Sequence, residues 1–239
     1  PRSLLAWDII VLNGYLVLNL LIPFYILYSH YCGREPNPRY YVPAVFLSIL
    51  WAVSLHLLTA FLYAALPARP YWLSALLGPR FLAIASAAGP AVMILILAVI
   101  RRNTAYPVSD STIGKLALVA TVAGQVCLVM LVSELFVDFY RPTHHSESVV
   151  FLYLGLEGRR GLVPWAWTSV GLMVVATAML SVHGVRRTTP LLYLACAMLF
   201  VGVLIEKSLG TIIPGFVPEP WGKIPRYVPT WVEVTMSSG

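Results

Sequence analysis

Apolar residues run in long blocks along the whole of this 239-residue chain, broken by short polar stretches. Blocks of this length, with no strict alternation, match helices that cross a hydrocarbon layer ~30 Å thick. A membrane barrel would instead show alternating segments of about 10 residues. The pattern predicts about six spanning helices, over residues 5–28, 42–66, 80–100, 113–138, 163–183 and 191–207. Pro43 and Pro164 fit first-turn positions, whereas Pro23 and Pro90 predict kinks. The small residues of 83–89 (AIASAAG) invite close approach by a neighbouring helix. The expected fold class is all-α: a polytopic transmembrane helical bundle, with residues 1–239 forming a single transmembrane domain.

Composition strengthens this picture. The chain is 59% hydrophobic and 11% charged, against roughly 25% charged in a soluble domain. Its net charge of +6 reads as loop arginine beside anionic lipid, and no nucleic-acid partner is expected. Cys32, Cys127 and Cys196 are far apart and form no CxxC. The chain therefore offers no frame for an iron–sulfur cluster, no c-type haem attachment and no metal site. His30 and His183 stand beside loop arginines, and His56 lacks a partner at its depth, so haem b is not expected either.

Threading the six helices alternately assigns connections 67–79, 139–162 and the tail 208–239 to one membrane face, here side one. Connections 30–41, 101–112 and 184–190 fall on side two. Total Lys and Arg are close to even between the two sides, but Arg34, Arg39, Arg101, Arg102, Arg186 and Arg187 flank the short side-two loops. Positive residues beside short loops mark the cytoplasmic face. Side two is then cytoplasmic, segments 139–162 and 208–239 are extracytoplasmic, and the chain is a multi-pass protein of the inner (cytoplasmic) membrane.

The ionisable residues are unusually placed for such a protein. Glu134 and His56 lie inside apolar runs, and Glu206 and Lys207 close another. Such groups are costly at membrane depth and usually face a protein interior or a water-filled path. All of them fall toward side one. His56, Thr59 and Tyr63 share one face of the second helix. Arg69, Trp72 and Arg80 follow in or just after the next connection. Glu134 and Asp138 share a face of the fourth helix, with Arg141, His144 and His145 directly beyond. Arg, His, Glu, Tyr and Trp around an apolar cavity suit a quinone, whose head group needs hydrogen-bond donors and a proton relay. In this reading His56 and Glu134 transfer protons. Thr59, Tyr63, Arg69, Trp72, Arg80, Asp138, His144, Glu206 and Lys207 line the quinone site or a polar path to it.

Each residue also has a plainer reading. Glu134 can form a structural ion pair with Arg80 or Arg141. His56 can hydrogen-bond a neighbouring helix. Glu206 and Lys207 can snorkel to water as an interfacial pair. His144 and His145 can be solvated loop residues, and Trp72, Trp165 and Trp167 can be interface anchors.

The block 54–70 (SLHLLTAFLYAALPARP), Trp72 and 79–89 (PRFLAIASAAG) resemble the NrfD/PsrC-like (polysulfide reductase NrfD) superfamily of membrane subunits. So do 133–140 (SELFVDFY), 205–217 (IEKSLGTIIPGFV) and 229–234 (PTWVEV). The branch the chain most resembles is the HybB/DsrP type, membrane subunits of periplasm-facing hydrogenases and of the sulfite-reduction-associated complex, and the glycine-proline stretch 210–218 leans toward the DsrP-like members. The resemblance implies a cofactor-free helical subunit of a respiratory redox complex, in anaerobic respiration and sulfur metabolism. It would exchange electrons between a membrane quinone (menaquinone or ubiquinone) and an extracytoplasmic ferredoxin-like iron–sulfur subunit, with other redox subunits attached. Such proteins have roughly eight to ten spans in two four-helix bundles. The chain is thus expected to be a fragment, with further helices before Pro1 and one after Gly239. The competing function is an ion- or proton-translocating, transporter-like module without quinone chemistry. A purely structural anchor would need no buried acid.

Overall fold

A computed structural model describes residues 3–140, 146–216, 230–232 and 235. Among them, six helices are long and apolar enough to cross a membrane, in agreement with the expected polytopic helical bundle. They are α1 (Leu4–Tyr31), α2 (Pro38–Ala64), α3 (Leu77–Asn103), α4 (Asp110–Tyr140), α6 (Val163–Ser181), and α8 (Thr189–Ile205) with its continuation. Two short helices, α5 (Ser146–Tyr153) and α7 (His183–Arg187), stand in the connections around α6.

The helix ends differ from the sequence expectation for local reasons. The second helix begins at Pro38, not near residue 42. Asn37 caps it, its side chain accepting from the Arg39 amide at 3.0 Å, and Pro38 fills the first-turn position, where its missing N–H costs nothing. Pro43 therefore lies inside the helix and not in its first turn. Pro164 does sit in the first turn of α6. Segment 139–162 contains α5 and is not a continuous loop. The indole of Trp167 in α6 donates to the Tyr153 carbonyl at 3.0 Å and fastens α5 to the bundle. The last helix does not end at Lys207. It passes through one π turn, Glu206–Gly210, and continues as α9 (Thr211–Gly215).

The core lies among α3, α4, α6 and α8. Ala87, Ala91, Ala117, Ala120, Ala176 and Ala195 are fully buried there, together with Ile94, Leu180, Cys196 and Leu199. Lipid tails are as apolar as leucine, so small side chains that let backbones approach are what hold such helices together. A polar tie reinforces them where Ser169 of α6 donates to the Gly202 carbonyl of α8 at 2.7 Å. Helix α1 packs on α2, where the Trp51 indole donates to the Val11 carbonyl at 2.9 Å. A Cβ at Gly14 would run into that indole, so the crossing needs glycine. Much of the remaining surface of α1 and α2 is exposed leucine, isoleucine, valine and phenylalanine.

Candidate functional site

Arg80 enters on the first turn of α3 and is almost wholly buried, 8% exposed. Its two terminal nitrogens bind different acids. Nη1 donates to Glu134 of α4 and Nη2 donates to Glu206 at the end of α8. One guanidinium thus ties three helices. A planar, always-charged fork is suited to this, because it presents several fixed donors to two carboxylates at once. A cation between two anions also answers the desolvation problem: a buried charge without a partner would cost several kcal/mol. Glu134 has 18% of its side chain exposed and Glu206 only 5%. Glu206 Oε2 has no hydrogen-bond partner among the described residues.

The set lies under a lid built from the α2–α3 connection. A short 3-10 turn, Pro70–Trp72, turns the chain inward. The Tyr71 hydroxyl donates to the Gly210 carbonyl at 2.7 Å. That carbonyl would ordinarily receive the amide four residues on, which is Pro214 and has no N–H. Tyr71 supplies the missing donor. The Trp72 indole, 1% exposed, donates to the Thr211 carbonyl at 2.9 Å. Arg69 donates to the Phe216 carbonyl at 3.3 Å and lies over the Phe216 ring, 5.0 Å from its centroid. Three neighbouring side chains of one connection therefore grip the end of the last span just beyond its π turn. Single π turns inside α-helices are frequent at functional sites.

Burial shifts the phenols that border the set. Tyr71 is held well above the ordinary range, desolvation outweighing the opposing pull of Arg80. Tyr153 of α5 is pushed up to about 12 by the same cause. Both stay neutral at any physiological pH. Beside the lid opens a mostly apolar recess of about 540 Å³, lined by Leu57, Ala60 and Phe61 of α2, Leu73 of the connection and Leu77 and Gly78 of α3.

The structure brings together Arg80, Glu134, Glu206, Trp72 and Arg69 from the expected set. Tyr63 joins them by stacking edge-on against Trp72, with ring centroids 4.8 Å apart. Lys207 sits over the ring of Phe81, the residue after Arg80, as a cation–π contact. Its Nζ is buried and has no hydrogen-bond partner among the described residues. Glu206 and Lys207 therefore do not snorkel to water as a pair: one faces Arg80 and the other an aromatic ring. His56 and Thr59 make hydrogen bonds within their own helix. His56 Nδ1 lies 2.9 Å from the Ala52 carbonyl, and Thr59 donates to the Leu55 carbonyl at 2.9 Å. Asp138 lies one turn beyond Glu134 on α4, half-buried. Arg141, His144 and His145 lie outside the described residues. Among the described residues no three His, Cys, Asp or Glu side chains converge as a metal-ligand set.

Sequence reasoning missed Tyr71, Phe81 and the carbonyls of Gly210 and Thr211. Only the Gly210 carbonyl had a signal. Pro214 announces that it is orphaned, but nothing in the sequence says which donor fills it.

Two curated relatives resemble this chain in sequence. A protein of Halobacterium salinarum, named as a dimethyl sulfoxide reductase membrane subunit, is 24% identical over 210 residues, covering 79% of this chain and 47% of its own length. A selenate reductase subunit of Mesobacillus selenatarsenatis is 25% identical over 184 residues, covering 77% of this chain and 42% of its own. The chain thus spans less than half the length of these relatives. The family model described as polysulphide reductase, NrfD, matches residues 1–217. With six apolar helices of spanning length and a match over nearly its whole length, this chain belongs to the polysulphide reductase NrfD family and is a multi-pass membrane protein.

Proposed function

We propose that the chain is part of the membrane subunit of a redox complex and exchanges electrons between a membrane quinone and an iron–sulfur partner outside the membrane. The observation that carries this reading is the Arg80–Glu134–Glu206 set at the side-one end of the bundle; a mostly apolar recess of about 540 Å³ opens at the same end, walled in part by Leu77, Gly78 and Pro79, the turn of α3 that leads into Arg80. Two-electron quinone chemistry moves two protons with the electrons. A quinol gives its electrons to the partner and its protons to water, and the reverse reaction takes both up. A carboxylate near the head group is the natural proton carrier. Glu134, the more exposed acid, is placed to exchange with side one. Arg80 holds both acids in position. The recess offers an apolar slot for the ring or its prenyl tail. The reductase subunits among the relatives favour a complex of this kind. The finer reading is a HybB/DsrP-like subunit of the inner membrane, side two in the cytoplasm, using menaquinone or ubiquinone.

The test is Glu134→Gln in the full complex. The substitution keeps the shape and removes the titrating group. Quinone-linked turnover should fall at least tenfold, within the size of a proton-transfer contribution (about 100-fold or more when complete), while the soluble partner keeps its rate with artificial dyes. Wild-type quinone turnover with unchanged proton uptake would assign Glu134 to a structural ion pair.

A further inference from the structure

The membrane face opposite Arg80 holds a second, separate cavity of about 530 Å³. It lies where α3 ends, α4 begins and α6 passes through α7 into α8. Arg101, Arg186 and Arg187 line it with His183, and Asp110 is the one acid among the described residues of its wall. Asp110 is already engaged, accepting from Arg101 at 2.6 Å. Arg186 and Arg187 have no carboxylate partner among the described residues, and Arg186 is half-buried. Ile113, Leu118 and Leu192 add an apolar lining, with Thr189 and Tyr193 beside them. Gly114 faces the space, and a Cβ there would meet nothing within 4 Å.

Depth identifies the occupant. Arg80 and Arg101 lie on one continuous helix, and their numbers put them about 32 Å apart at 1.5 Å per residue. That is the thickness of a hydrocarbon core. The cavity therefore sits at the membrane–water boundary, with arginines at headgroup level and aliphatic side chains toward the acyl region. Ordinary loop arginines would be solvated without a concavity beneath them. Here a cleft between helices joins two guanidinium groups, without a carboxylate partner among the described residues, to apolar side chains. We infer that this cleft binds a phosphoryl anion, presented by the headgroup of an anionic phospholipid. Arginine matches phosphate oxygens with paired donors, and basic pockets between transmembrane helices suit such headgroups.

The experiment uses the full-length protein in its complex, delipidated in mild detergent and returned to phosphatidylglycerol or phosphatidylcholine nanodiscs. Bound phospholipid is read by native mass spectrometry. Phosphatidylglycerol should be retained over phosphatidylcholine. Arg186→Gln or Arg187→Gln should each weaken retention about 5-fold, and the pair roughly 30-fold. Gly114→Trp fills the cleft, leaves every charge in place, and should also lose the lipid. A parallel arm titrates inorganic phosphate against retained lipid. Failure of millimolar phosphate to compete identifies a lipid headgroup. Direct, arginine-dependent binding of inorganic phosphate with no lipid preference would move the source to the free anion. Retention of phosphatidylglycerol unchanged in both the double-arginine and Gly114→Trp variants would overturn the site.

Discussion

Trp72 and Thr211 stand 139 residues apart in the chain, and the indole N–H of one donates to the carbonyl of the other at 2.9 Å. This bond closes a loop over the buried Arg80 set. It also explains the close approach of Gly215: a Cβ there would overlap the Trp72 indole, whereas one at Gly89 meets nothing within 4 Å. Gly215→Ala must displace either the indole or the end of α9. It should lower the thermal midpoint of the purified complex clearly more than Gly89→Ala. Tyr71→Phe leaves the Gly210 carbonyl without its donor, and the expected cost is about 1–3 kcal/mol. Equal midpoints for Gly215→Ala and Gly89→Ala would show that the lid is not tightly packed.

Removing Arg80 is the harsher change. Arg80→Met leaves Glu134 and Glu206 facing each other with no cation, and should destabilise the helical bundle by about 3–5 kcal/mol. Adding Glu134→Gln and Glu206→Gln removes the stranded charges and should recover much of that loss. Single Glu206→Gln should cost less than Arg80→Met, because Arg80 retains Glu134. Denaturant unfolding in detergent, followed by circular dichroism, ranks the variants. A triple variant no more stable than Arg80→Met would count against charge burial as the source of the effect.

Much of this architecture is written in the sequence, because lipid imposes a simple rule. A span must be long, apolar and internally hydrogen-bonded, so each of the six helices is visible as a block. The Ala-rich stretch of α3 announces close packing, and Ala83 and Ala87 are buried where expected. The gathering of Arg80, Glu134 and Glu206 at one face also follows from alternate threading. What pairs with what does not follow. Glu134 had Arg80 and Arg141 as equal candidates, and Glu206 looked like the head of a solvated pair with Lys207. Their azimuth around the last span decides the matter. The π turn at Glu206–Gly210 inserts an extra residue in the helical repeat, and periodicity cannot be counted across it. The contacts of His56 are equally illegible in the sequence. A histidine at depth draws attention, yet its ring nitrogen lies beside the Ala52 carbonyl of its own helix.

Topology is open to direct measurement. Asn103 ends α3 on side two, and Gly161 lies exposed on side one with room for a Cβ. Cys32 is exposed, whereas Cys127 and Cys196 are buried. In a Cys32→Ser background, Gly161→Cys should react with a membrane-impermeant maleimide in intact cells. Asn103→Cys should react only after permeabilisation. The reverse order would invert the assignment of side two to the cytoplasm. Ser146 would be a poor probe for the same purpose, since it is 3% exposed.

Alkaline titration probes the lid through its phenols. In an unfolded chain tyrosine ionises near pH 10. Burial pushes Tyr153 up to about 12 in the folded protein and holds Tyr71 well above the ordinary range. The native state then keeps both protons where the unfolded state loses them. Their contribution to stability is complete below about pH 10 and is lost as pH rises toward the folded values. Two outcomes follow for the intact complex in detergent. Tyrosinate absorbance at pH 11 should be the same in wild type and in Tyr153→Phe, because Tyr153 is still protonated there. Between pH 10 and 12 the stability of wild type should fall more steeply than that of Tyr153→Phe, which has no proton to release. A drop in tyrosinate absorbance at pH 11 on substituting Tyr153 would mean that its hydroxyl is solvated. The packing of α5 over the Arg80 set would then be looser than its contact with Trp167 indicates.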